Sequence, residues 1–110
     1  MPPTVLGHFE HQVLLAILRR ESEAYSVEIV AELERHTGRE VATSAVFVSL
    51  QRMKAKGLLS DRMVEPGAEG GHARRYFRLT RDALEALRES RRSLLGLWDG
   101  VESALDEPTA

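Results

Sequence analysis

From Leu84 onward, apolar side chains return at alternating steps of three and four: Leu84, Leu87, Leu94, Trp98, Val101 and Leu105, with Arg91 at the one break. That spacing is the heptad stripe of a helix built to pair with another helix. Thr80 offers an N-cap, Asp82 sits where the helix dipole favours negative charge, and the first glycine in the segment is Gly96. The predicted helix covers residues 81–105, roughly 35 Å at 1.5 Å per residue. A chain of 110 residues builds one modest core. So long a stripe exceeds what that core can cover, and the remainder predicts a second copy of the chain as partner.

The preceding residues read as three short helices and a hairpin. Phe9, Val13, Leu14, Ile17 and Leu18 recur at helical spacing, so a first helix is predicted from His8 to about Glu21. Leu15 and Ala16 widen its apolar face, which predicts burial both inside the subunit and against a partner, with Phe9 and Val13 assigned to the dimer contact. Ser26 is the expected cap of a second helix with Ile29, Val30 and Leu33 inward, ended by Gly38. Thr43 or Ser44 is expected to cap a third, with Val46, Leu50 and Met53 inward and Gly57 as its stop. The short Gly38 to Thr43 connection makes these two helices cross sharply, as in a helix-turn-helix. After Gly57 the pattern becomes that of a hairpin, residues 58–65 and 73–80, with Gly67, Gly70 and Gly71 at its tip. A hairpin in that position is a wing, whose basic tip commonly lies along a phosphate backbone. The fold class is mainly α with a small β-hairpin: a winged helix-turn-helix over residues 1–80, a dimerisation helix over 81–105 and a flexible tail over 106–110.

The net charge of −2 conceals a division along the chain. From Arg39 to Arg81 nine basic residues face four acidic ones, a local excess of five positive charges, and the remainder is acidic. A basic middle is what a phosphate-binding face produces, and a solvated mixed surface gives a milder form of the same split. Cysteine is absent, which excludes disulfides, thiolate zinc sites and cysteine nucleophiles and suits a reducing cytoplasm. Met1, Pro2 and Pro3 do not begin a signal peptide, and no apolar run approaches a membrane span, so a cytoplasmic location without membrane contact is expected. Neither a nucleophile with its base nor a carboxylate pair is brought together by this fold, and an enzyme is not expected.

The order of elements and the residues themselves resemble the PadR family of transcriptional regulators, in its short subgroup with a single C-terminal dimerisation helix. The segments that carry the resemblance are LGHFEHQVLLAILR (Leu6 to Arg19), AYSVEI (Ala24 to Ile29), TGREV (Thr37 to Val41), AVFVSLQRMKAKGLL (Ala45 to Leu59), RRYFRLT (Arg74 to Thr80) and RRSLLGLWDG (Arg91 to Gly100). Their combination in order is far more specific than any one of them. The resemblance implies a repressor-like homodimer on a roughly palindromic operator in double-stranded DNA, with the third helix in the major groove. By position it assigns DNA contact to Thr43, Ser44, Ala45, Phe47, Val48, Ser49 and Arg52, with Val48, Ser49 and Arg52 on the outward side, and to Gly71, His72, Arg74 and Arg75 in the wing. Phe47 departs from the family, which usually has there a tyrosine whose hydroxyl can bond a phosphate. Dimerisation falls to Phe9, Val13, Leu84, Leu87, Leu94, Trp98, Val101 and Leu105.

Each assignment has a plainer alternative. Arg52 matches a phosphate or a guanine edge, or pairs with a surface acid. Arg74 and Arg75 contact phosphates or decorate a solvated hairpin. Trp98 is read first as dimer core; because some PadR-like dimers hold planar apolar effectors between their last and first helices, it is also a ligand platform, with a small-molecule effector as a further partner. His8 and His11, with Glu10 between them, lack an evident third ligand, so no metal and no cofactor is expected. The tip GAEGG (Gly67 to Gly71) lacks the lysine and hydroxyl of a phosphate-binding loop. The alternative function is a winged-helix module that binds protein without binding DNA, which the basic middle segment opposes.

Overall fold

A computed structural model describes residues 5–68 and 70–106. The reading of Met1, Pro2 and Pro3, and all of the 106–110 tail except Asp106, therefore lie outside the described residues.

Helix α1 (His8–Leu18) opens the fold. It stops one turn before the expected Glu21, because Glu21 and Ser22 adopt left-handed φ of 59° and 69° and swing the chain into β1 (Glu23–Tyr25). Helix α2 (Ser26–Thr37) follows directly. Its cap is Tyr25, not the expected Ser26, and the Tyr25 N–H donates to the Glu28 carboxylate at 3.1 Å. Gly38 closes α2 in the left-handed region at φ 70°, as glycine there should. Helix α3 (Thr43–Ala55) begins after Ala42, so Thr43 and Ser44 are inside the helix and neither caps it.

Strands β2 (Leu59–Val64) and β3 (Arg74–Leu79) form the wing, and β1 adds to the far edge of β3 to give an antiparallel sheet in the order β1-β3-β2. Glu23 pairs with Arg78, and Leu59 and Leu79 face each other at the base of the hairpin. Helix α4 (Arg81–Trp98) starts as expected: the Thr80 hydroxyl accepts from the Ala83 N–H at 3.3 Å and donates to the Gly57 carbonyl at 2.7 Å.

One core joins these elements. Val13, Leu14 and Ile17 of α1 meet Ile29 and Leu33 of α2, Val46, Leu50 and Met53 of α3, Phe77 of β3, and Ala83 and Ala86 of α4. Full burial of a leucine, isoleucine or phenylalanine contributes about 1.5–3 kcal/mol, so the angle between α2 and α3 is fixed by packing more than by their turn.

The end of α4 corrects the sequence reading. The helix stops at Trp98, giving about 27 Å at 1.5 Å per residue. Asp99 leaves helical geometry with ψ 121°, Gly100 takes φ 87°, and a 3-10 turn, Glu102–Leu105, follows. Val101 and Leu105 are therefore not on the helical stripe, although both are exposed. No helix among the described residues is long and apolar enough to cross a membrane.

Candidate nucleic-acid interface

Helix α3 turns its sides according to which residues the core takes. Val46, Ser49, Leu50 and Met53 are buried. At about 100° per residue, Ser44, Val48, Gln51 and Ala55 then lie within about 30° of the opposite direction and form the outermost row. All four are exposed. Phe47 and Lys54 occupy one flank of that row, and Ala45 and Arg52 the other. Thr43 is exposed in the first turn, and no carboxylate occurs between Val41 and Ser60.

Ser49 is not on the outward side. It is 6% exposed and its hydroxyl has no hydrogen-bond partner among the described residues. The reason is phase: three residues after Val46 and four before Met53 is the inward row, whatever the polarity of the side chain. Conversely, Gln51 shares the outermost row with Ser44 and Val48 at spacings of seven and three, a signal present in the sequence but not used there. Arg52 forms no ion pair among the described residues. Glu10 of α1 lies close enough to feel its charge.

Glu10 itself ties the start of α1 to the end of α3. It accepts from the Gly7 N–H at 2.9 Å and pairs with Lys56 at 3.0 Å. Burial pushes its carboxyl up, and the Gly7 bond, Lys56 and Arg52 outweigh it, holding the group below the ordinary carboxylate range.

Ion pairs tie the wing to α3 and to β1. Arg75 and Lys54 both reach Asp61, at 2.5 and 3.1 Å. The Arg75 bond, then the Lys54 bond, lowers the Asp61 pKa below its usual value. Arg62 makes two 2.8 Å bonds to Glu23, which is held below its ordinary range mainly by that contact. Tyr25 and Tyr76 meet edge to face at 5.3 Å, and the Arg74 guanidinium covers the Tyr25 ring at 4.7 Å from its centre. Arg74 and Arg75 are thus positioned, not trailing in solvent. Gly70 and Gly71, with φ 86° and 109°, turn the exposed tip, where His72 is also exposed.

A groove of about 410 Å³ unites the two halves of the site: its walls include Val27 of α2, Phe47 of α3, and Ala73, Arg74 and Arg75 of the wing. Phe47 is 51% exposed and Val48 55%. Of the residues assigned to DNA contact, this groove brings together Phe47, Arg74 and Arg75; Ser49 leaves the exposed set and Gln51 joins it.

The residues assigned to dimerisation divide differently. Val13 is fully buried in its own subunit and Leu87 nearly so, because both complete the single core. Phe9 and Leu84 are half-buried against that core. Leu94, Trp98, Val101 and Leu105 are exposed, together with Leu95, Leu97 and, on α1, Leu15 and Leu18, which the heptad reading left out of the contact. Between α1 and α4 runs a groove of about 680 Å³, bounded by Leu6, His8, His11, Leu15, Ser90 and Leu94. His11 Nδ1 lies 2.6 Å from the Ser90 hydroxyl, and among the described residues no three potential metal ligands converge.

Residues 14–89 match the model of the transcriptional regulator PadR-like family. No curated protein sequence matches the chain. Among solved structures, the chain is similar to a PadR family transcriptional regulator from Eggerthella lenta, with 27% identity over 87% of this chain and 82% of that one and a TM-score of 0.68. A PadR-like transcriptional regulator from Bacillus cereus superposes with a TM-score of 0.73, 24% identity, and coverage of 91% of this chain and 93% of the other. The Bacillus subtilis PadR structure in complex with operator DNA shares the fold at a TM-score of 0.63, with 17% identity over 74% of this chain and 45% of that one.

Proposed function

Because the chain belongs to the PadR-like family of transcriptional regulators, we propose that it binds double-stranded DNA sequence-specifically as a homodimer on a roughly palindromic operator and represses transcription there. The observation that carries this reading is the groove in which Phe47, on the flank of an exposed and acid-free α3, lies beside Arg74 and Arg75 of the wing. A helix of this width fits the major groove, and the adjoining guanidinium groups reach backbone phosphates. Ser44, Ala45, Phe47, Val48 and Arg52 face the bases and nearby phosphates, with Thr43 at the start of the helix. Gly71 and His72 accompany the wing arginines along the backbone.

Residues 1–80 form the DNA-binding unit, and residues 81–105 supply the dimer contact through Leu94, Trp98, Val101 and Leu105. Exposed apolar side chains at the end of α4 and in the turn after it are stabilised by mutual burial. Pairing in this way sets two copies of α3 about one DNA turn apart, roughly 34 Å, so operator spacing becomes a selectivity device. The groove between α1 and α4 shares Leu94 with that contact, although Trp98 is not among its walls, and an apolar effector seated in it would alter the angle between subunits and hence operator affinity. The protein works in the cytoplasm, where its DNA is.

A protein-binding role in place of DNA has one observation in its favour, the exposed apolar pair Phe47 and Val48. Selection of the purified protein against a random duplex library at two salt concentrations separates the readings. Retention of a palindromic motif with strong salt dependence supports the operator-binding dimer; no retention at low salt moves the assignment to a protein partner.

A further inference from the structure

The outermost row of α3 contains no cation and no carboxylate: it is Ser44, Val48, Gln51 and Ala55. On the reading that α3 enters the major groove, this row meets the base edges first. We propose that Val48 and Gln51 read A·T pairs in each half-site, Val48 by covering a thymine methyl and Gln51 by gripping an adenine. The claim rests on the DNA-binding reading and adds to it the bases that are recognised.

The chemistry of the two side chains selects those bases. A glutamine carboxamide accepts from adenine N6–H with its oxygen and donates to N7 with its nitrogen, a pattern that guanine, with acceptors at both O6 and N7, cannot satisfy. Gln51 makes no side-chain hydrogen bond among the described residues, so its carboxamide is free for that role. Val48, more than half exposed, gains by burying its methyls, and thymine is the base that offers a methyl in the major groove. Residues three apart on a helix are neighbours, so one pair of side chains covers adjacent base pairs. Arg52, the usual type of guanine reader, lies about 70° round the helix from the outward direction, on the side facing Glu10, and suits a flanking phosphate instead.

The test uses the full-length protein and a duplex selected from the random library. Each thymine in turn is replaced by uracil, which removes the methyl alone, and each adenine by 7-deazaadenine, which removes the N7 acceptor alone. Wild-type protein is expected to lose about fourfold at one uracil position per half-site and about tenfold at one 7-deazaadenine position. Val48→Ala should be indifferent to that uracil and Gln51→Ala to that 7-deazaadenine, each with an unchanged thermal midpoint, since both side chains are exposed. Indifference of the wild-type protein to every such replacement, or a selected motif whose sensitive positions are all G·C, overturns the readout while leaving DNA binding intact. Failure to retain any duplex overturns the DNA-binding reading itself.

Discussion

Two helical faces of this molecule are comparably exposed and chemically opposite. The outer row of α3 is short, neutral and flanked by Arg52 and Lys54, whereas the C-terminal half of α4 presents Leu94, Leu95, Leu97 and Trp98. Leu97 is 77% exposed and takes no part in the subunit's core. An apolar face gains free energy by burial against any matching apolar face, at about 25 cal/mol per Å². A neutral face of mixed polarity between cations gains less from burial against apolar surface alone, and gains specificity against a ligand that brings its own acceptors and negative charge. On the proposed reading the two regions serve different partners, duplex DNA and a second copy of the chain, and each can be broken without touching the other.

The largest effect is expected on α4. Leu94→Asp with Trp98→Asp places charge where burial is required and should convert a dimer to monomer at micromolar concentration, weakening self-association by a hundredfold or more, on the scale of ~3 kcal/mol from lost hot-spot contacts. Sedimentation equilibrium reads this directly. A dimer that survives both substitutions removes α4 from the interface. The monomer should retain its helix content, because neither side chain contributes to the core.

A smaller effect in the opposite direction is expected at the wing. Asp61 occupies Arg75 and Lys54, both of which a phosphate would otherwise attract. Asp61→Asn should tighten binding to all duplexes several-fold at low salt and steepen the salt dependence, as measured by fluorescence anisotropy. Unchanged affinity would mean that the two cations do not approach DNA.

The inward row of α3 gives a still smaller effect. Ser49→Ala removes a buried hydroxyl without a partner, so stability should hold or rise by up to about 1 kcal/mol in denaturant melts, with no change in base preference. Altered preference would return Ser49 to the interface.

The elements legible in the sequence are those whose signals are local. Gly38 and Gly57 stop their helices, Thr80 caps α4, and the glycines between Val64 and Arg74 mark the hairpin. Strand β1 has three residues and exists by pairing with β3, more than fifty residues away in sequence, so no local pattern announces it. The end of α4 was concealed by the stripe: Val101 and Leu105 keep the heptad spacing across Asp99 and Gly100, which break the backbone. Val13 and Leu87 teach a related lesson. Periodicity identifies an apolar face but not whether that face is covered by the same chain or by another. At Ser49 the position-by-position resemblance implied the outside, and helical phase decided for the inside.

The α1 and α4 surfaces meet near His11, where burial first and the neighbouring His8 second hold the imidazole below its ordinary 6.5. The unfolded chain therefore takes up this proton before the folded one. Its contribution is intact above about pH 6.5 and is lost as pH falls through the folded value. Thermal midpoints should decline modestly between about pH 7 and 5, and His11→Gln should flatten that decline; an identical profile for the variant would dissociate His11 from the effect.

The central claim, that α3 and the wing together grip duplex DNA, is tested most directly by the slope of log affinity against log salt for a selected duplex, wild type beside Arg74→Ala with Arg75→Ala. The wild type should bind with a steep slope, and the double variant should bind all sequences more weakly with a slope shallower by up to about two, one for each phosphate contact removed. Equal slopes for the two proteins, or no binding by the wild type at low salt, would contradict the account.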